Sequence, residues 1–192
     1  MFRYPDLIVN LHNWSSYDEH RWRFQQQYSL EQKAATEKGF LLHMNVWTLL
    51  LTLAFTLYMT GVIWSMQVLE YPLFARVGRD EFLAYHAFHN RTLPFLVILP
   101  SLLALVSAVL LLWIRPASVP LWSAVLVVVL DLAVLISTAA WQAPLHEKLD
   151  RKGFSTEVID TLVKSNWIRT ALWTINALLL LGMTATALLA AR

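Results

Sequence analysis

His86 and His89 stand three residues apart, a spacing that puts both imidazoles on one face of a helix, where one metal ion can take both. His146 adds a third imidazole and Glu70 a carboxylate. Together the four make a ligand set suited to Fe, Cu or Zn, with a position left open for substrate or dioxygen. Without a metal, the same imidazoles are of the type that acts as general base. Arg169 and Asn166 are groups that hold an oxyanion or a substrate oxygen, and Trp64 and Trp173 are rings that stack on an aromatic substrate. Two histidines at this spacing also arise by chance in surface loops. The chemistry therefore depends on whether the fold brings these groups to one place.

The chain that must position them has 192 residues, of which 57% are hydrophobic and only 15% charged. A water-soluble domain carries about 25% charged residues. The absence of cysteine excludes disulfides, thiolate metal sites and thiol chemistry. A formal charge of +2 without a dense Lys/Arg patch gives no support for nucleic-acid binding. Four segments account for the composition: residues 40–66, 93–114 and 171–191 lack Asp, Glu, Lys and Arg, and 119–141 contains only Asp131. Each is long enough to cross a hydrocarbon core as a helix that satisfies its own backbone. The expected fold is all-α, an integral membrane four-helix bundle (40–192) behind an N-terminal tail (1–39).

Four crossings place the two long connections, Gln67–Thr92 and Gln142–Thr170, on one membrane face. The tail and the tight turn at Arg115–Ser118 lie on the other. Basic residues are divided almost evenly between the faces and do not orient the chain. The lack of a signal peptide favours a cytoplasmic tail. In the tail, Ser16 and Glu19 form a capping-box pattern, and Trp14, Tyr17, Trp22, Phe24 and Tyr28 give amphipathic mass for a helix lying along headgroups or docking a partner. His12 and His20 are expected to be solvated. The bilayer is the one partner the composition requires; a homo-oligomer or a further membrane subunit is left open.

Polar residues recur in stripes. Asp131, Thr138, Gln142 and His146 share one face of the third span, and Asn166, Arg169, Thr170, Trp173 and Asn176 one face of the fourth. Thr60, Trp64, Gln67 and Tyr71 repeat along the first. In lipid such groups are costly, so all are expected to face the bundle interior. They then wall a pocket that opens on the long-connection face and narrows towards Asp131. Asp131 is either a structural acid, protonated or bonded to Asn176 or a threonine, or a proton relay. Arg169 either snorkels to headgroups or enters the pocket.

The segments Glu70–Phe74, Tyr85–Thr92, Gln142–His146 and Asn166–Thr170 with Trp173 resemble the recurring segments of a family of small bacterial four-helix membrane proteins. That group is similar to the anthrone oxygenase-like membrane proteins. The resemblance covers about Trp47 to Leu189 and departs in the tail. It places Glu70, His86, His89, Gln142, His146, Asn166 and Arg169 at characteristic positions, and it implies a bacterial inner membrane and oxidation of a polycyclic aromatic with dioxygen.

The expected function is a membrane oxidoreductase acting on a lipophilic small molecule. His86, His89, His146, Arg169 and Asp131 would be catalytic, and Trp64, Gln67, Tyr71, Gln142, Asn166, Trp173 and Asn176 would contact substrate. The alternatives are a small transporter lined by Asp131 and Asn176, or a structural subunit. A transport path should be polar at both ends, whereas here polarity gathers at one.

Overall fold

The computed structural model describes residues 6–190, with side chains at 21–37, 39, 40 and 43–190. Its helices are α1 (Asp6–Ser65), α2 (Tyr71–Phe74), α3 (Phe82–Leu93), α4 (Leu99–Leu110), α5 (Leu121–Ser137), α6 (Ala143–Lys152) and α7 (Thr156–Ala190). The described chain is all-α. It contains four helical spans long and apolar enough to cross a membrane: His43–Phe74, Phe82–Leu110, Leu121–Lys152 and Thr156–Ala190. Only 28–33% of the most apolar window of each span is buried. The remaining apolar surface, including Phe95, Leu99, Ile136 and Leu178, is exposed and fits an integral membrane protein whose outer face meets lipid.

The chain divides into two compact units, Met1–His43 and Met44–Arg192. In the first, residues 21–37 are exposed on every side, Trp22, Phe24 and Tyr28 among them. Local i,i+4 bonds, such as Gln27 to Glu31 at 3.0 Å, link their side chains. Ser16 and Glu19 do not start a helix, because α1 is already helical from Asp6 and leaves no orphan amides for the box to cap. The side chains of His12, Trp14, Tyr17 and His20 lie outside the described residues.

In the second unit, small residues let the spans approach closely. Ala104, Ala108, Ala124 and Ala177 are buried at the contacts, and Thr48 and Thr52 return their hydroxyls to their own helix. Arg115 closes the turn between the second and third spans by donating to the Leu112 and Val119 carbonyls. The long connections are not loops. The helices run through most of them, with breaks only at 75–81 and 153–155. Hydropathy marks the part of a helix that needs lipid, and a helix continues into water without that mark. Gly153, at φ +71°, ends α6 in a conformation that other residues adopt only with strain.

Three of the spans contain a π-helical segment: Met66–Glu70, Pro94–Ile98 and Thr138–Gln142. Each ends two residues before a proline, Pro72, Pro100 or Pro144. A proline cannot donate to the carbonyl four residues back, and the ladder shifts to i→i+5 instead. Thus Tyr71, Leu99 and Ala143 donate to Met66, Pro94 and Thr138. The Leu96 carbonyl, which Pro100 cannot reach, accepts from the Tyr58 hydroxyl at 3.3 Å.

Because the chain lacks cysteine, single cysteines report topology cleanly. In sealed vesicles, an impermeant maleimide should label Arg79→Cys and Arg151→Cys from one side and Ser118→Cys from the other. Labelling of Arg79→Cys and Arg151→Cys from opposite sides would rule out an even number of crossings between them.

Candidate functional site

All four spans contribute to one end of the second unit. Tyr71 and Phe74 come from α2, His86 and His89 from α3, His146 and Asp150 from α6, and Arg169 from α7. The three imidazoles form a stack, with centroids 5.2 Å apart for His86 and His146, 5.5 Å for His89 and His146, and 6.2 Å for His86 and His89. Phe82 continues the stack on His86 at 5.5 Å, and Phe74 meets His86 and His89 edge-on. This aromatic casing keeps His86 fully buried and leaves His89 and His146 each 8% exposed.

Five of the six ring nitrogens have a neighbour; His89 Nε2 is buried without a hydrogen-bond partner among the described residues. His86 Nδ1 lies 2.7 Å from Asp150 Oδ1, and His86 Nε2 lies 3.0 Å from His146 Nδ1. His146 Nε2 lies 3.3 Å from the Tyr71 hydroxyl, and His89 Nδ1 lies 3.3 Å from Glu70 Oε2. Asn90 donates to both carboxylate oxygens of Asp150 and fixes its position. The expected set of His86, His89, His146 and Glu70 is therefore gathered but does not fit a metal. His86 and His146 turn to each other, and His86 and His89 meet two separate carboxylates, rather than all aiming at a shared point. Among the described residues, no three His, Asp or Glu side chains are arranged to hold one.

Beside the stack, between the second and third spans, lies a cavity of about 340 Å³, within the lower range of small-molecule sites. Leu93, Pro94, Val97 and Ile98 make its apolar wall; Tyr71, Gln142, His146 and Arg169 make its polar one. Arg169 is 3% exposed and does not snorkel. Its guanidinium lies beside the Tyr71 phenol, and its Nε has no partner among the described residues. A second cavity of about 310 Å³, between the first and second spans, is lined by Glu70 and His89 among apolar side chains.

Other expected contacts lie elsewhere. Asp131 is not on the cavity wall: Asn176 donates to it at 2.7 Å in a buried pair between the third and fourth spans. The cavity takes its lining from all four spans and does not reach Asp131. Gln67 ties the first span to the fourth. It donates to the Val163 carbonyl at 3.1 Å and accepts from Asn166 at 2.9 Å and Thr170 at 3.5 Å. Trp173 is buried in the core, where its carbonyl accepts from Thr60. Trp64, expected inside, is 40% exposed. Its indole donates to Thr174 and packs edge-on against Trp167, the position of an amphipathic ring at an interface.

Asp150 and Asn90 are not among the residues expected from the sequence. Asp150 stands four residues beyond His146 on the same stripe, and Asn90 four beyond His86, so both emerge from extending the helical spacing by one step. No family model matches the chain, and neither a curated protein nor a solved structure matches it.

Gln67→Leu leaves the Asn166 donor and the Val163 acceptor without this partner in a buried contact and should cost about 1–3 kcal/mol. Thermal unfolding in detergent should register the loss. An unchanged melting temperature would remove Gln67 from the helix clamp.

Proposed function

We propose that the protein is a membrane-embedded oxidoreductase of the oxygenase-like kind, which admits a lipophilic aromatic substrate to the cavity between the second and third spans. The observation that carries this reading is the polar wall of that cavity. A buried guanidinium stands beside a phenol and an imidazole, opposite a wall of aliphatic side chains. Such a wall suits a flat apolar molecule bearing one oxygen that gains negative charge. The resemblance to anthrone oxygenase-like proteins points to the same substrate class. In this reading the protein resides in a bacterial inner membrane with its tail cytoplasmic.

The reaction converts a ring CH₂ beside a carbonyl-bearing aromatic system to C=O, with dioxygen as oxidant and water as the second product. Its first step breaks a C–H bond: the proton passes to the protein, and the electron pair moves into an enolate whose oxygen Arg169 holds. The four-electron oxidation of the carbon is matched by reduction of dioxygen, one atom entering the product and the other leaving as water. Acid-base work falls to Tyr71 and His146, the phenol and the imidazole on the cavity wall beside Arg169.

Anthrone added to the protein in lipid nanodiscs should bind, show the visible absorption of its anion near neutral pH, and consume oxygen. Arg169→Gln should lower the oxygen uptake rate about 100-fold, the usual effect of losing an oxyanion donor. Absence of anthrone binding by the wild type, or binding with neither anion nor oxygen uptake, would overturn the proposal.

A further inference from the structure

We propose that Asp150, His86, His146 and Tyr71 form a proton relay between the exposed end of the bundle and the cavity wall, one that works while the cavity is filled. The inference deepens the proposed function and rests on it for the source of the proton. Its geometry stands alone. Asp150 is about half exposed, whereas His86, His146 and Tyr71 are buried. The three intervening contacts measure 2.7, 3.0 and 3.3 Å in sequence. An apolar occupant would exclude water from the cavity, which Tyr71, His146 and Asp150 all line, but the link from His146 to Asp150 passes through His86, which lies off the cavity wall against Phe74 and Phe82.

One assignment of hydrogens satisfies all three contacts. Tyr71 O–H donates to His146 Nε2, His146 Nδ1–H donates to His86 Nε2, and His86 Nδ1–H donates to the Asp150 carboxylate. When substrate gives a proton to the Tyr71 oxygen, each hydrogen moves one place outward. The old O–H and two N–H bonds break, new N–H bonds form at His146 Nε2 and His86 Nε2, and Asp150 becomes a carboxylic acid that releases its proton to water. The imidazoles are left as their other tautomers. Returning a proton through the same chain, as reduction of dioxygen to water requires, restores them. The neighbouring charges do not interrupt the path: Glu70 pairs with His89, Glu147 pairs with Arg151, Asn90 holds Asp150, and Arg169 flanks Tyr71.

The test uses the full chain in nanodiscs without substrate. In Tyr71→3-nitrotyrosine, the phenolate absorbs visible light, and a stopped-flow pH jump reads how fast the buried phenol loses its proton. Adding Asp150→Asn, at a half-exposed position where the fold should tolerate it, should slow that loss about 100-fold, and Asp150→Glu should restore most of it. His86→Leu should slow it equally. Equal rates with and without the Asp150 carboxylate would overturn the relay. If the nitro group lowers the melting temperature, Tyr71→3,5-difluorotyrosine, read at its ultraviolet tyrosinate band, gives the same comparison. With no substrate present, a failure here leaves anthrone binding untouched, and a failure of anthrone binding leaves these rates readable.

Discussion

A polar side chain inside hydrocarbon has no water to bond, and its partner must come from another helix or from its own. This constraint organises the second unit. Gln67 reaches Val163, Asn166 and Thr170; Gln142 reaches Ser165; and Asp131 receives Asn176. Each of these bonds ties the fourth span to another. That span is thus held by polar contacts along its length, and Arg169 enters the site from a fixed position.

The same constraint, combined with three prolines, shapes the site. Pro72, Pro100 and Pro144 each remove a backbone donor, and a π-helical turn precedes each. Such a turn adds a residue and rotates the helix beyond it. Gln67 and Gln142 lie within these segments, and Tyr71 and His146 come within four residues after them. Clustering of π segments beside functional groups is a recurring pattern. Here they frame both cavities and the imidazole stack between them.

The four spans are legible in the sequence because an uncharged run of such length has one stable form in lipid. The helix ends are not, since beyond the hydrocarbon neither Glu81 nor Lys152 carries a hydropathy signal. The stripes correctly turn Gln67, Asp131, Asn166 and Asn176 to the bundle interior, yet spacing alone cannot separate contacts made to other helices from contacts left for a ligand. Trp64 illustrates the limit. Its spacing matches Thr60 and Gln67, but an amphipathic indole is stable at the helix edge, where Thr174 gives it a partner. The histidines suggest metal ligands in the sequence because residue type and spacing say nothing of where ring nitrogens point. Only the folded geometry shows His86 bonded to His146 and to Asp150, with His89 turned to Glu70.

The bond between His86 and His146 joins the second span to the third and sets the direction of the whole chain from Asp150 to Tyr71. It can be observed directly by magnetic resonance on protein carrying ¹⁵N-labelled histidine in lipid. A nitrogen–nitrogen coupling across the hydrogen bond should connect His86 Nε2 with His146 Nδ1, vanish in His146→Phe, and have no counterpart at His89. Absence of that coupling in the wild type, with both rings titrating as independent solvent-exposed imidazoles, would contradict the arrangement on which the site depends.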